Sequence, residues 1–551
     1  MASVIQNQKE RGAFFTPKPL AQFLADWAIR APNDAVLEPS CGEAVFLEAA
    51  GRRVDIISQV NHRGHLNLRG IEIHQPSAIR ASARLLSLGY TGEIECNDFF
   101  DTAPAPIYDA VLGNPPFIRY QSFSGDARNK ALRAALAQGV TLKRLSSAWA
   151  AFLIHASAFL KPTGRLGFVL PAELLATHYA AEVRSFLLRR FGSLKIILFE
   201  TLVFPGVMEE VILLLAEGSG GCKSFEVIQI KNMDCLTRAV LRGNGYEPPH
   251  PNDKWTTALL HQEAQEILAS VARSKSFEPL ANWGSVYLGF VTGNNAFFAL
   301  NEADRVAHKL SERDVIKICP PGARRLSSLT LDHSTWRSMR DQGAAVYLFY
   351  PYSTQPSATA KSYIERGRHQ GVHTGYKCAN RKPWWRVPIS QNPDLIFTYM
   401  SHQMPRLIAN EARVQVPNSM YGVAVHRNRK LVGRKALPKL LCNSVSALTS
   451  EIEGRSYGGG LLKHEPREAD RILVPSLSLA SNLMGELDKL KLSQVQQAEQ
   501  PQLCDAADEI LLNAGAGLSR EAIKVIQSAR KDFFNRRAAR NRSVAIDQAT
   551  E

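Results

Sequence analysis

Metal, disulfide and membrane chemistry leave almost no trace in this 551-residue sequence. Its eight cysteines, at 41, 96, 222, 235, 319, 378, 442 and 504, form no Cys-x-x-Cys pair and no Cys/His group at zinc spacing. A structural metal is therefore not expected, and the thiols should be reduced and mostly buried. No uninterrupted apolar run approaches the ~18 residues of a membrane span. The opening MASVIQNQKERGAFF has no basic segment leading into an apolar one, so no secretory leader and a cytoplasmic location are expected. The GxGxxG fingerprint of dinucleotide sites is missing too, as is any clear Pro-Asp…Glu-x-Lys set of an endonuclease. Acidic residues fall short in one part only. Residues 1–240 hold 25 Lys and Arg against 22 Asp and Glu, whereas the remainder holds 41 against 29. Most of the formal net charge of +15 thus lies in the second half, as expected of a region that meets a polyanion.

What is present is a globular composition, 45% hydrophobic and 21% charged, at a length that suggests two or three domains of ~100–200 residues each. The first 240 residues alternate strand-like and helical runs, the pattern of an α/β domain with a mainly parallel sheet. Thr16-Pro17 suits a helix start, and Leu20, Phe23, Leu24, Trp27 and Ala28 then share one face. Seven strands are expected, at 34–39, 67–73, 92–98, 108–114, 164–171, 194–200 and 210–217. The Gly-, Pro- and Asn-rich RGNGYEPPHPNDKW (242–255) reads as a linker, placed at 241–275. A Pro-, Arg- and aromatic-rich region of mixed strand and loop signals follows to 475, and 476–551 reads as helical. Within it RKDFFNRRAARNR (530–542) resembles a solvated helix face.

Ligands of open α/β sheets bind at the carboxyl ends of the strands, and four such ends carry suitable groups. LEPSCGEAVFL (37–47) places Glu38 before the small residues Ser40, Cys41 and Gly42, which permit close approach of backbone to a ligand. GIEIH places Glu72 where a carboxylate can accept from both ribose hydroxyls. CNDFF offers Asp98 to an exocyclic amine and Phe99 to a purine face. VLGNPPFIRY (111–120) joins two acceptors, the Asn114 side chain and the Pro115 carbonyl, to the ring of Phe117 on a backbone stiffened by two prolines. Each end has a bland counterpart: a strand-to-helix turn, a solvated Glu, an Asx turn and a rigid Asn-Pro turn. Their joint order is what argues for a site that takes a nucleoside cofactor.

That order, with GAFFTP (12–17) ahead of it, resembles the γ-class, TaqI-like amino-methyltransferases of DNA. In that family an FTP segment precedes an EP(S/A)CG loop, a ribose acid, a D-F purine contact and an NPP(Y/F) motif. GRLGFVLPAELL (164–175) and VFPGVMEEVILL (203–214) are also similar, and GFVTGNNAFFAL (289–300), PWWRVP (383–388) and FTYMSHQMPRLIAN (397–410) look like its recognition regions. The resemblance implies a Rossmann-like seven-stranded S-adenosylmethionine-dependent methyltransferase domain over 1–240. It further implies a mixed α/β DNA target-recognition domain over 276–475 with a helical end. It places Thr16, Pro17, Glu38, Ser40, Cys41, Gly42, Glu72, Asp98, Phe99 and Asn114 around S-adenosylmethionine. By the same resemblance Asn114, Pro115, Pro116 and Phe117 would form the catalytic loop, with Phe204 stacking on the far face of the target base. Many relatives have Tyr where this chain has Phe117.

The implied reaction is methyl transfer to adenine N6 in double-stranded DNA, on a base swung out of the duplex. The implied setting is the modification half of a type II-like restriction–modification pair, acting as a monomer beside a cognate endonuclease. Cytosine N4, an RNA amine or a protein glutamine amide remain chemical alternatives for an NPPF site. For DNA contact, Asn294, Asn295, Arg381, Lys382, Trp384, Trp385 and Arg386 are the candidates, against the alternative of a buried Trp pair with a basic rim.

Overall fold

The computed structural model describes residues 16–59, 64–118, 122–143, 146–201, 203–204, 210–236, 242–352, 355–457, 460–489 and 500–549. The chain divides into two compact units, Met1–Leu259 with Ala539–Glu551, and Leu260–Ala538.

The first unit is built on a nine-stranded sheet in the order β3-β2-β1-β4-β5-β7-β6-β8-β9. Its strands are β1 (Val36–Glu38), β2 (Gly64–Ile71), β3 (Tyr90–Glu95), β4 (Tyr108–Gly113), β5 (Leu160–Pro171), β6 (Ser193–Phe199), β7 (Val211–Glu217), β8 (Phe225–Ile230) and β9 (Asn244–Tyr246). Strands β1 to β5 are parallel, whereas β7 runs antiparallel between β5 and β6. The seven expected strands are all here, and β8 and β9 extend the sheet beyond β6.

Parallel strands of this kind are covered on both faces, so their runs are continuously apolar and neighbouring residues enter opposite cores. Leu37 and Val111 join a cluster with helices α4 (Gly125–Ala137), α5 (Ala148–Ser157) and α7 (Ala181–Arg190). Val36, Ala110 and Leu112 join another with α1 (Lys18–Ala28), α2 (Val45–Ser58) and α3 (Gln75–Ser87). Helix α1 buries Leu20, Ala21, Phe23, Leu24, Ala25 and Ala28, the expected stripe. Its start differs from expectation: Pro17 is the N-cap residue, no side chain caps the helix, and Thr16 is engaged elsewhere. The one-turn helix α6 (Glu173–Ala176) follows β5.

The stretch expected as a linker is ordered. Asn244–Tyr246 pairs with β8, and Trp255 is 0% exposed, its N–H donating to the Leu175 carbonyl (2.9 Å). The Gly- and Pro-rich composition marks tight turns between these anchors, not a free tether. Residues Gln262–Arg273 are already a helix of the second unit.

That second unit holds a five-stranded sheet of Gly284–Leu288, Tyr421–Val425, Leu395–Phe397, Leu407–Asn410 and Thr330–Leu331, in that spatial order. One core gathers Trp283, Val423 and the helices Lys430–Leu440 and Ser444–Glu453; another is aromatic, around Phe297, Phe298, Trp336 and Phe349. In the helical end, Arg537 breaks the expectation of a solvated face. It is 3% exposed, with its guanidinium 2.8 Å from the Glu451 carboxylate and 3.0 Å from the His402 carbonyl, because a buried cation requires such partners.

Among the described residues no helix is long and apolar enough to cross a membrane, and no group of three His, Cys, Asp or Glu could hold a metal ion.

Candidate active site at the carboxyl edge of the sheet

All four suspicious strand ends lie on one edge, where β1, β2, β3 and β4 stop. The loop after β1 is fastened to its neighbours by main-chain bonds. Cys41 N–H donates to the Ile71 carbonyl at the end of β2 (3.0 Å), and Gly42 N–H donates to Glu72 Oε2 (2.8 Å). The other oxygen of Glu72 accepts from His74 N–H (2.8 Å). Glu72 is therefore held rigid by two charge-assisted bonds and still has lone pairs on both oxygens for a diol. Gly42 sits at φ +50°, with no atom within 4 Å of where a Cβ would stand, so the loop offers bare backbone to open space.

Glu38 does something different. It is 2% exposed, and its Oε2 accepts from Leu47 N–H at the start of α2 (3.1 Å). Burial pushes its carboxyl well above the ordinary carboxylate value, against the pull of the Leu47 and Phe46 N–H groups. Expected around the cofactor, it is bound to the first turn of α2 through the Leu47 N–H. Cys41 is likewise buried, at 3%.

The third end corrects one expectation. Phe99 is 2% exposed, its ring held 5.3 Å from Phe152, 5.3 Å from Phe159 and 4.7 Å from His155, so it has no face to give a purine. The α5 helix and the end of the β5 crossover claim it for the core. Asp98 does make the Asx-type turn, accepting from Phe100 N–H through Oδ1 (3.1 Å), while Oδ2 lies 3.7 Å from Lys130 Nζ. From below, His155 Nε2 lies 3.2 Å from the carbonyls of both Phe99 and Thr102, fixing the turn; burial lowers its pKa.

One exposed apolar side chain on this edge was not among the expected site residues. Ile73, between Glu72 and His74, is 70% exposed. Alternation would bury it with Ile71, at 0%, but β2 ends at Ile71 and the chain turns. An apolar side chain left in the open directly after a ribose-type acid is the signal that could have found it.

The fourth end is the Asn114–Phe117 loop. Asn114 Nδ2 donates to Thr16 Oγ1 (3.2 Å), and its main-chain carbonyl accepts from Ser40 Oγ (3.4 Å). The N-terminal segment, the β1 loop and the β4 loop thus meet at one residue, and the amide is oriented with its oxygen opposite the Thr16 contact. Pro115 is buried, Pro116 half-buried, and Phe117 packs against the clusters of both sheet faces. Phe204 belongs to the α1–α2 cluster that Phe117 also touches. It is 4% exposed, so unlike the expected stacking partner it is covered and would have to be uncovered to meet a base. Arg119 and Tyr120, with residues 12–15 and 205–209 of the quoted segments, lie outside the described residues.

Two family models match: "N-6 DNA Methylase" over residues 2–228 and "Type II methyltransferase M.Eco57I, C-terminal domain" over residues 252–512. The chain matches the N-6 DNA methylase family over residues 2–228, in the unit that carries the nine-stranded sheet. It is a DNA adenine-N6 methyltransferase of restriction–modification systems, with S-adenosylmethionine as its methyl donor. The Type II methyltransferase M.AccI of Acinetobacter calcoaceticus is 21% identical over 493 residues, covering 86% of this chain and 87% of the relative. M.XamI of Xanthomonas campestris pv. amaranthicola is 22% identical over 488 residues, 85% of each. Among solved structures, the Type IIL restriction-modification enzyme MmeI in complex with DNA shares the fold at a TM-score of 0.57. That match has 11% identity and covers 91% of this chain and 73% of that one.

In the second unit of this methyltransferase, most of the residues expected at DNA are occupied within the fold. Asn294 caps the helix Asn295–Phe298 by accepting from Phe297 N–H (3.1 Å). Arg381 donates to the carbonyls of Thr292 (2.8 Å) and Val291 (2.5 Å). Trp385 is 8% exposed, and Trp384 packs 5.7 Å from Phe297. Arg386 lies over the rings of Tyr350 (4.9 Å) and Trp385 (5.3 Å). This segment is thus nearer the Trp pair with a basic rim, with Trp385 buried and Trp384 half-buried against the aromatic core, because aromatic area is worth more in a core than on a wet surface. Asn295 and Lys382 are the exposed members of the set.

Proposed function

We propose that the Asn114–Phe117 loop of this methyltransferase carries out the transfer. Asn114 Oδ1 and the Pro115 carbonyl accept the two N6 hydrogens of the target adenine and orient its amine. The observation that carries this reading is the anchoring of Asn114, whose amide nitrogen is fixed by Thr16 and whose carbonyl is fixed by Ser40. The cofactor's ribose falls to Glu72, its adenine amine to Asp98 and its ring to Ile73, with Ser40, Cys41 and Gly42 presenting backbone to it. The open φ +50° turn at Gly42 and the doubly anchored Glu72 fit such a group. When bound, the sulfonium supplies an electrophilic methyl group. The residues of the loop would point the N6 lone pair at that methyl group, the sulfur keeping the bonding pair as a neutral thioether and the extra N6 proton passing to water. Catalysis by the chain is orientation and hydrogen-bond acceptance, with no strong base required.

A paired N6 is out of reach, so the base is swung out of the duplex at a cost of about a few kcal/mol and held against Phe117. Phe204 closes on it from the other side once uncovered. Residues 260–538 select the DNA sequence. In this reading the protein is the cytoplasmic, monomeric modification enzyme of a type II pair, protecting sites that a cognate endonuclease would cut.

Labelled S-adenosylmethionine offered with duplex DNA, RNA and protein substrates, followed by digestion, tests the assignment. The label is expected in N6-methyladenine from DNA, and label elsewhere refutes it. Asn114→Ala should reduce transfer by roughly 10²- to 10³-fold, the loss typical of one preorganised polar contact to a transition state. Transfer at the wild-type rate would remove Asn114 from its role.

A further inference from the structure

Next to the transfer loop lies a polar cluster that none of the roles above uses. Glu173 opens the one-turn helix directly after β5, the strand paired with β4. Tyr179 Oη donates to Glu173 Oε2 at 2.5 Å, accepts from the indole N–H of Trp149 at 3.0 Å and lies 3.2 Å from Ser147 Oγ. Burial and the neighbouring carboxylate push the Tyr179 phenol well above its ordinary value, so its proton stays on oxygen. Trp149 is 0% exposed, and Ser147 is the N-cap residue of α5. The next residue, Ala148, donates its N–H to the Ile118 carbonyl (3.1 Å), at the exit of the Asn114–Phe117 loop. Phe117 and Ile118 also pack against the cluster that contains Trp149.

We infer that Tyr179, drawn onto Glu173, is a positioning residue for methyl transfer. Through Ser147 and Trp149 it fixes the first turn of α5, and Ala148 N–H passes that position to the end of the loop whose acceptors hold the amine. The contacts lie at the first turn of α5, before the His155 that holds the Asp98 turn from further along the helix, and none is made to Glu72 or Asp98, so cofactor affinity should change little. The inference rests on the assignment of transfer to the Asn114 loop.

Single-turnover methyl transfer by Tyr179→Phe, Glu173→Ala, Glu173→Gln and the Tyr179→Phe/Glu173→Ala double variant tests it. Affinity for S-adenosylmethionine is measured in parallel. Tyr179→Phe is expected to slow the transfer step roughly ten- to hundredfold, as slight misplacement of reacting groups does, with cofactor affinity within about twofold of wild type. Glu173→Gln should recover most of the rate, because a carboxamide oxygen still accepts the phenol proton, whereas Glu173→Ala should match Tyr179→Phe. The double variant should be no worse than either single one, since all three remove the same contact. Wild-type rates for Tyr179→Phe, additive losses, or parallel loss of cofactor affinity would each overturn the inference. Failure of the underlying assignment looks different: Asn114→Ala would then keep its activity whatever Tyr179 does.

Discussion

Replacing Glu72 by glutamine tests the cofactor edge with a change of a single atom. Both carboxylate oxygens accept main-chain N–H groups at 2.8 Å, from Gly42 on one side and His74 on the other. A carboxamide can satisfy one of them. Whichever way it turns, its NH2 faces the second N–H, donor against donor, so one charge-assisted bond is lost and the other becomes neutral. Hydrogen bonds to charged groups are worth about 1.5–3 kcal/mol each, and a free-energy loss of ~1.4 kcal/mol is tenfold in affinity. The Gly42 turn, held by Glu72 at φ +50°, should loosen, and the ribose loses an anionic acceptor. S-adenosylmethionine binding, measured by calorimetry, should weaken roughly 10- to 100-fold, while DNA affinity without cofactor stays the same. Equal cofactor affinity in Glu72→Gln and wild type would refute the bridging role.

The second unit and the acid stability of the first give two further tests. If the basic excess of the second half meets phosphates, log affinity for duplex DNA falls linearly with log salt, with a slope of about −0.9 per phosphate contacted; a flat line in filter binding would count against docking there. Glu48 titrates below its ordinary value of 4.5: burial raises it, but the hydrogen bond and charge of Arg84 and the charges of Arg52 and Lys18 outweigh burial. A lowered carboxylate stabilises the fold above its unfolded value and loses that contribution as pH falls through the folded one. Thermal melting from pH 6 down to 3 should therefore drop less steeply in Glu48→Gln than in wild type, and superimposable curves would show that the three cations contribute nothing.

The sheet was legible because parallel strands buried on both faces write themselves as apolar runs, and each run from 34–39 to 210–217 became a strand. The gathering of the four polar strand ends on one edge was legible because polar and small residues interrupt those runs at the same end. The failures share a cause: residue type does not reveal which neighbour will claim a side chain. In Phe99-Phe100 either ring was eligible for the surface, and α5 takes the first. In the Trp384-Trp385 segment the aromatic core supplies Phe297, and Gly367, where a Cβ would stand 2.7 Å from the Trp384 ring, makes room for the indole. Thr16 looked like a helix cap; its bond to Asn114 spans 98 residues and has no local signature. The Tyr179 cluster joins residues on α5, on α6 and in the turn after α6, and was likewise invisible in the sequence.

The reversed strand β7 separates the two sides of the site by how easily each can change. On one side, β1 to β2, β2 to β3 and β4 to β5 are joined by helical crossovers whose packing fixes where each loop emerges. On the β5 side the chain leaves β6 and returns along β7 as a hairpin, with Val211 opposite Pro171 and the Glu210 carbonyl accepting from Ala172 N–H (2.8 Å). Phe204 rides on that connection. A hairpin loop can lengthen or shorten at about 0.6 kcal/mol per doubling, without moving a helix or changing the order of the sheet. Over evolutionary time the connection that carries Phe204 is thus free to be remodelled while the edge where β1, β2, β3 and β4 end stays as it is; under the function proposed above, this would let one reaction be kept while the surroundings of the target base are exchanged.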